Sequence, residues 1–394
     1  MPTNFNPTKD GTTDPLSSID TLALRALSLF QFKNYESASL EFSSPIVCFL
    51  GNNGEGKTNL LDAVHYLSFT KSYFHNSDAL NILHEHDQAG ITGEFLRAGN
   101  PELIHCAIRK NQRKVLKRNH KEYERLAEHI GLLPSIIITP YDIELIWEGS
   151  EVRRKFMDAT ISQYSPVYLD HLMRYNQALS QRNQVLKSYG KMGAPQELLD
   201  PWDYQLAFHA LPIFEERTRF FVMLEEVFAQ VYSEISGGKE RGSLSYSTSL
   251  AEASMDDILK KNREKDRILE RTTGGIHKDD LDFFIENQPI KKFASQGQQK
   301  SFLIALKLAQ YMIIRGRSKV HPILLLDDLY DKVDDLRVSN LLDWILDKIK
   351  GQVFISDTHI DRIPDLLQSK KAAFQIYKIA QNTCLSHSTS IPHH

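Results

Sequence analysis

The sequence predicts an α/β fold, a mixed sheet flanked by helices, that carries an inserted all-helical lobe. Three observations predict it. A continuously apolar strand at 46–50 leads into a glycine-rich loop and a helix, a second apolar strand at 323–326 ends in two aspartates, and the segment from about 151 to 235 is helical. A strand without polar residues is typical of the centre of a parallel sheet, where both faces are buried. We therefore expect one α/β domain that is split by the helical segment.

Composition limits the class of protein. The chain has 394 residues, of which 41% are hydrophobic, and a formal net charge of −3. This excludes disordered, collagen-like and low-complexity proteins, and no apolar run approaches the ~18 residues of a membrane helix. Cys48, Cys106 and Cys384 are isolated, without the spacing of a zinc site or a disulfide framework. We expect a cytoplasmic protein with no membrane partner, and the near-neutral charge argues against a uniformly basic nucleic-acid coat.

The first half of the α/β head is expected at 21–148, after a polar and flexible leader at 1–20. Alternating and continuous apolar runs predict strands that begin at Leu22, Leu40 and Ile46, with more strands across 91–123 and a short one at 135–139. The first strand ends at Lys33-Asn34-Tyr35. A helix should run from Lys57 to about Leu67, and Asn119-His120 suits a hairpin turn.

The helical lobe is expected at 149–271. Two heptad-like series are separated by breakers at Gly190, Gly193, Pro195 and Pro201. The first series comprises Leu169, Leu172, Asn176, Leu179, Asn183 and Leu186. The second comprises Leu206, Ala210, Ile213, Arg217, Phe220, Leu224, Val227 and Val231. An antiparallel coiled-coil-like hairpin and ordinary amphipathic helices on a core both fit this pattern.

The second half of the head is expected at 272–380. Its elements are a strand at 281–285, a long helix from about Gln298 to Ile314, and apolar strands at 323–326 and 352–356. The remaining segment, 381–394, is polar and is expected to be a mobile tail.

The glycine-rich loop has the spacing of a phosphate-binding loop. Its residues are Gly51, Asn52, Asn53, Gly54, Glu55, Gly56, Lys57 and Thr58, between a buried strand and a helix as that motif requires. Glycines let backbone N–H groups surround a phosphate, and the helix N-terminus adds a positive dipole. Lys57 would neutralise the terminal phosphates of ATP, and the Thr58 hydroxyl would bind Mg²⁺.

The apolar strand at 323–326 supplies the matching acids. It delivers Asp327 and Asp328 at its carboxyl end, where parallel sheets bind ligands. Asp327 would hold Mg²⁺, and Asp328 would orient the attacking water. Acidic turn residues after an ordinary strand are the alternative. Lys57 and Asp327 lie far apart in sequence, so a large insertion separates the two parts of one nucleotide site.

A third motif points to a family. Ser295-Gln296-Gly297-Gln298-Gln299 precedes the long helix and resembles the signature motif of ABC-type ATPases, although a plain helix cap is the alternative. Its Ser-Gln-Gly-Gln-Gln form resembles that of the bacterial RecF family of recombination-repair proteins. Further stretches are similar to that family in the family's order, namely 32–36, 51–63, 140–142, 151–158, 175–183, 277–281 and 305–309. The resemblance extends from Leu22 to Ile379.

The resemblance implies a P-loop ABC-type ATPase head, similar to SMC heads, in which two protomers sandwich ATP. Ser295, Gly297 and Gln298 of one protomer would face the phosphate loop of the other. It adds Lys33, Asn34 and Asn59 to the residues near the nucleotide. It also implies recombinational repair and replication restart through an ATP-dependent homodimer on double-stranded or gapped DNA, with a RecR-like partner that helps to load the recombinase.

Some positions depart from the family pattern. Lys33 replaces the usual Arg and keeps the charge without the planar fork. Asp328 stands where ABC ATPases usually have Glu, and RecF proteins in general also have Asp at this position. We therefore expect slow hydrolysis. The Leu329–Asp334 segment departs from the sequence that the family usually has at the dimer contact. Asp334 is the residue of this segment that matches that sequence best. His359 falls one position after that of the switch histidine in ABC ATPases and is expected to be an ordinary loop residue.

A dense run of cations without an acid predicts a DNA contact on a hairpin. Its members are Arg109, Lys110, Arg113, Lys114, Lys117, Arg118 and Lys121. Alternate cations on a hairpin could follow a phosphate backbone without reading sequence. A solvated hairpin is the alternative.

Three rival functions remain open. One is the ATPase head of another system, such as the motor subunit of a transporter. A second is a defence ATPase, which would require an additional acidic metal-binding domain. The third is a binding module in which ATP is structural.

Overall fold

The computed structural model describes residues 21–190, 193–328, 335–380 and 383–390. The predictions for the leader at 1–20 and for the Leu329–Asp334 segment, with Asp334, lie outside these residues. Across the described part of the chain, no helix is long and apolar enough to cross a membrane.

The central sheet has six strands in the order β15-β14-β3-β13-β12-β8. Five strands are parallel, and their bounds are β3 (Ile46–Leu50), β8 (Ser135–Ile138), β12 (Ile323–Leu326), β13 (Val353–Asp357) and β14 (Phe374–Ala380). At one edge β15 (Thr383–Ser390) pairs antiparallel with β14. The prediction of a mobile tail at 381–394 is therefore wrong for its described part. A polar edge strand is possible because its backbone pairs on one side with β14, whatever its hydrophobic pattern.

A second sheet is antiparallel, in the order β2-β1-β4-β5-β6-β7. Its strands are β1 (Leu22–Phe32), β2 (Tyr35–Glu41), β4 (Gln88–Arg97), β5 (Asn100–Arg109), β6 (Val115–Arg118) and β7 (Lys121–Glu122). The predicted turn at Asn119-His120 is confirmed. Both residues have positive φ, 49° and 69°, as a tight two-residue hairpin requires.

Helices cover both faces of the central sheet. Val47, Phe49 and Leu325 belong to a core with helix α1 (Lys57–Phe69), which lies between the two sheets. Cys48 and Leu326, on the opposite face, belong to a core with helix α8 (Gln296–Arg317). Strands β3 and β12 are apolar at every position because each face packs against a helix. The remaining helices of this head are α2 (Glu144–Trp147), α7 (Ile290–Phe293), α9 (Asp335–Lys348) and α10 (Arg362–Ser369).

The lobe is built from α3 (Ser150–Ser162), α4 (Pro166–Tyr189), α5 (Gln196–Ser236) and α6 (Met255–Leu269). Helices α4 and α5 form an antiparallel hairpin, joined by ion pairs and hydrogen bonds between them. The residues of the second predicted heptad series are buried on α5, with one exception. Phe228 is buried instead of its neighbour Val227. Pro201, expected to break the chain, lies inside α5.

The first heptad series is displaced by one residue along most of α4, although Leu186, its last member, is buried as predicted. The buried residues of α4 are Tyr168, Tyr175, Ala178, Arg182 and Leu186. Arg182 is fully buried because its guanidinium pairs with Asp203 at 2.6 Å and with Asp266 at 2.7 Å. A hydrophobic pattern treats such an arginine as a surface residue, so it assigned the wrong face.

The inserted segment also contains a strand, so the expectation of an all-helical lobe is wrong in that detail. Strand β9 (Gly242–Ser247) pairs antiparallel with β10 (Asp280–Ile285), which in turn pairs with β11 (Gln288–Pro289). This small sheet crosses the predicted boundary between 271 and 272. The sequence pattern did not predict β9, because it contains Gly242, Ser243 and Ser245, residue types of low strand propensity.

Candidate nucleotide-binding site

The topology of the central sheet brings the predicted motifs to one edge. The glycine-rich loop follows β3, Asp327 follows β12, and β13 lies between these two parallel strands. Carboxyl ends of neighbouring parallel strands meet at the same edge. The insertion therefore leaves the two parts of the site adjacent in space.

The loop is held in shape by its own lysine and by a carboxylate. Lys57 Nζ donates to the carbonyl oxygens of Gly51 and Asn52, each at 2.8 Å. The Glu55 carboxylate accepts from the backbone N–H of Asn52 at 3.0 Å. Gly56 has a φ of 101°, and a Cβ there would lie 2.6 Å from Asn34 Nδ2, so glycine is required. The ammonium group of Lys57 thus lies inside the cradle where a phosphate would bind.

Thr58 and Asp327 meet directly across the site. The Thr58 hydroxyl donates to Asp327 Oδ1 at 2.9 Å. Burial raises the pKa of Asp327 to about 6, with hydrogen bonds from Ser356 and Thr58 opposing the shift. A hydroxyl and a carboxylate next to a phosphate cradle are hard oxygen ligands, and they fit Mg²⁺. These two residues would hold the ion, which would neutralise phosphate charge.

Ser356, at the end of β13, was not predicted as a site residue. Its hydroxyl donates to Asp327 Oδ1 at 2.7 Å and accepts from the backbone N–H of Asp328 at 3.0 Å. It therefore fixes both acids from the strand that separates the loop from β12. The available signal was its position as the first polar side chain after an apolar strand run.

Asp328 has a left-handed backbone, with a φ of 43°. A non-glycine residue in this region costs about 1 kcal/mol or more, and such strain concentrates at functional sites.

His359, on the loop after β13, is 65% exposed and lies 3.5 Å from Asp357. It lies on a loop, as predicted, and its lack of a catalytic role stays a prediction.

The β1–β2 turn lies against α1, next to the loop. Asn59 Nδ2 donates to Asn34 Oδ1 at 2.7 Å. Lys33 Nζ lies 2.5 Å from Asp62 Oδ2, and both side chains are almost fully buried. Asn34 and Asn59 therefore border the cradle, whereas the Lys33 charge is bound to a carboxylate of α1. A direct contact of Lys33 with nucleotide stays a prediction.

The signature residues form a helix cap on an exposed surface. Ser295 Oγ accepts from the backbone N–H of Gln298 at 3.3 Å, and Gln298 Oε1 accepts from the backbone N–H of Ser295 at 2.8 Å. This is a capping box, which leaves Ser295 and Gln296 exposed and Gly297 partly exposed. Gln299 is buried and accepts from Trp147 Nε1 at 3.2 Å.

The basic stretch is less available to a ligand than its sequence suggests. Lys114 Nζ lies 2.9 Å from Asp78, with its side chain mostly buried. Arg118 makes a two-pronged contact with Glu102, and Arg113 donates to the carbonyl of Glu124 at 3.0 Å. The sequence shows no acid within the stretch because these partners come from other strands and loops. The exposed cations are Arg109, Lys110, Arg113 and Lys121, and Lys117 is partly exposed.

Comparisons with known proteins agree with this architecture. The family model described as the RecF/RecN/SMC N terminal domain matches residues 23–383. The DNA replication and repair protein RecF of Flavobacterium johnsoniae is 43% identical over 357 residues, which cover 90% of this chain and 99% of that protein. The protein of the same name from Bacteroides thetaiotaomicron is 41% identical over 361 residues, covering 91% and 97%.

Solved structures extend the likeness to the fold. The recombination mediator protein RecF-ATPrS of the RecFOR pathway superposes with a TM-score of 0.84 at 26% identity, covering 94% of this chain and all of that one. The Smc head domain of Pyrococcus furiosus has a TM-score of 0.55 at 15% identity, covering 94% and 96%, and shares the fold. By its sequence and its fold, the chain belongs to the RecF family of DNA replication and repair proteins, within the wider RecF/RecN/SMC group.

Proposed function

We propose that the protein is an ATP-dependent DNA-binding protein of recombinational repair and replication restart, with weak ATPase activity. The observation that carries this proposal is the contact between Thr58 of the phosphate loop and Asp327 of the acidic strand end. It brings two motifs, 269 positions apart, into contact. This contact supports a single site for ATP and Mg²⁺. The RecF relatives, named for DNA replication and repair, support the biological role.

ATP acts in this proposal as the joint between two protomers. Ser295 and the exposed N-terminus of α8 would serve as a second anion site, distinct from the loop. An anion site of this kind is useful when a second chain brings its own bound phosphate to it. Two copies would thus enclose two ATP molecules, and hydrolysis of the ATP would release the two protomers from each other.

Hydrolysis is proposed to be slow. Asp328 carries one methylene less than Glu, so its carboxylate is placed less well to orient water. We expect turnover well below about 10 per second, an ordinary enzyme rate. A rate above that would remove Asp328 from its proposed role.

The DNA partner is proposed to be double-stranded or gapped, with contact through the accessible cations of the hairpin. Replacing Lys117 and Lys121 together by Gln should reduce the slope of log K against log salt by about two, because each phosphate contact releases about one counterion. Lys114→Gln is the matched control, since its charge is already paired with Asp78. It should lower stability and leave the salt slope unchanged. A slope unaffected by the double variant would exclude the hairpin as the contact.

Sedimentation tests the whole proposal. The protein is run alone, with ATP and Mg²⁺, and with ATP, Mg²⁺ and gapped duplex. We expect a monomer, a dimer and a dimer on DNA, in that order. A species that stays monomeric with nucleotide, or DNA binding that is indifferent to ATP, would contradict it. The RecR-like partner and the cytoplasmic location follow from family membership and are proposed with it.

A further inference from the structure

A chain of buried and partly buried polar contacts runs from the helix of the phosphate loop to the helix of the signature motif. It begins at Asp62 on α1, which is fully buried and accepts from Ser72 Oγ at 2.6 Å and from the backbone N–H of Tyr73 at 2.7 Å. Lys33 neutralises this carboxylate from the β1–β2 turn. The segment that carries Ser72 and Tyr73 is thereby fixed to α1.

The Tyr73 hydroxyl continues the chain to Asp142. It donates to Asp142 Oδ1 at 2.5 Å, and burial raises the pKa of Tyr73 well above its ordinary value, so the phenol stays a donor. Asp142 is anchored to the end of β8, where its other oxygen accepts from the backbone N–H of Thr139 at 2.7 Å. Strand β8 is the neighbour of β12, which carries Asp327.

Asp142 in turn holds the signature helix. Lys307 Nζ of α8 lies 3.1 Å from Asp142 Oδ1, with both side chains buried, and 5.3 Å from the centre of the Tyr73 ring. The same segment continues into α2 and ends at Trp147. The Trp147 Nε1 donates to Gln299 Oε1 in the first turn of α8. The two contacts on α8 are about 12 Å apart at 1.5 Å per residue. Residues 142–147 therefore form a brace along the signature helix.

We propose that Tyr73 is a positioning residue that couples α1 to α8, so that nucleotide held at the phosphate loop sets the orientation in which Ser295 meets a partner protomer. This inference rests on the proposed function. Buried ion pairs add little net stability compared with apolar residues of the same volume, but they impose one geometry. The chain of contacts through these residues transmits a small shift because Asp62, Asp142 and Lys307 are buried. Tyr73 is partly buried and is bonded to both carboxylates, through its backbone N–H and its hydroxyl.

The test is Tyr73→Phe, which keeps the ring and removes the hydroxyl. Nucleotide affinity of the monomer should stay within about twofold, because Lys57, Thr58 and Asp327 are untouched. Dimerisation measured by sedimentation with ATPγS and Mg²⁺ should weaken about tenfold or more, the effect of losing one hydrogen bond to a charged group. A purely structural role would not separate these two quantities.

Tyr311→Phe is the matched control. Tyr311 is fully buried on α8, one turn beyond Lys307, and its hydroxyl accepts from the backbone N–H of Gly351 at 3.3 Å, away from the brace. We expect a similar loss of folding stability with unchanged dimerisation. Lys307→Met breaks the chain from its other end and should reproduce the Tyr73→Phe result, which guards against a folding defect in one variant.

The outcomes distinguish this inference from the proposed function. If the wild type dimerises with ATPγS and Tyr73→Phe dimerises equally well, the coupling role is excluded while the proposed function stands. Equal losses in nucleotide affinity and in dimerisation would also exclude it, because Tyr73 would then merely support the loop. If the wild type stays monomeric with ATPγS and Mg²⁺, the proposed function fails and this inference fails with it.

Discussion

The two parts of the proposed nucleotide site differ in how completely one chain assembles them. On the phosphate-loop side, Lys57 and Asp327 are buried, and each is bonded to neighbours that orient it. On the signature side, Ser295 is exposed and bonded to Gln298 within the first turn of its own helix. In the proposed mechanism, the first part would bind nucleotide before any partner arrives. The second would act only when a second chain is present.

The largest effect should come from Lys57→Ala, which removes the charge inside the cradle. We expect ATP affinity to fall about a hundredfold or more, since hydrogen bonds from a buried cation to phosphate are among the strongest in proteins. Dimerisation should be lost as a consequence. Equilibrium binding of a fluorescent ATP analogue to the monomer is the measurement.

Lys260→Ala is the control for that experiment, because Lys260 is an exposed lysine of α6 in the lobe. It should bind ATP like the wild type. If Lys57→Ala retained normal affinity, the loop would not be the nucleotide site, and the contrast between the two sides would have no basis.

A smaller and more selective effect is expected from Ser295→Arg. Nucleotide binding by the monomer should be unchanged, because the loop is elsewhere on the head, while ATP-dependent dimerisation should weaken at least about tenfold through the bulk placed at a contact surface. Sedimentation with ATPγS measures it. A variant that loses both properties would contradict the division of the site into two parts.

Ser254→Arg separates that effect from the loss of a helix cap. Ser254 is exposed and caps α6 in the same way, accepting from the backbone N–H of Asp257 at 3.2 Å. Both variants should lose about 1 kcal/mol of stability, the usual contribution of an N-cap. Dimerisation should respond to the change at Ser295 and not to the one at Ser254.

The same contrast explains what could be predicted from the sequence. The phosphate loop is local, since a strand, a glycine-rich turn and a helix follow each other within one stretch, and its prediction needed no tertiary information. Ser356 and the pairing of Lys114 depend on partners from distant elements, and no spacing reveals them. Arg182 shifted the predicted face of α4 because its burial depends on Asp203 and Asp266 from other helices.

The last prediction concerns acid, which should weaken the phosphate-loop side first. His129 is fully buried, with Nε2 2.6 Å from the carbonyl of Leu67 in the last turn of α1 and Nδ1 3.1 Å from the Tyr123 hydroxyl. Burial lowers the pKa of His129 to about 4, and that of His65 on α1 likewise to about 4. Helix α8 carries no histidine.

The sign of the pH dependence follows from these values. Between pH 6.5 and 4 the unfolded chain binds a proton that the folded His129 does not, so its contribution to stability is complete above pH 6.5 and is lost as pH falls toward 4. Each such histidine should lower the free energy of unfolding by about 1.4 kcal/mol per pH unit in that window.

Denaturant titrations at pH 7.5 and 5.5 should show a smaller decrease for His129→Gln than for the wild type. His84→Gln, at a 93% exposed side chain, should behave like the wild type. Hydrogen exchange, corrected for its intrinsic pH dependence, should show protection falling in α1 before α8. Equal loss in both helices would mean that the two sides of the site open as one unit, which would remove the structural independence on which their comparison rests.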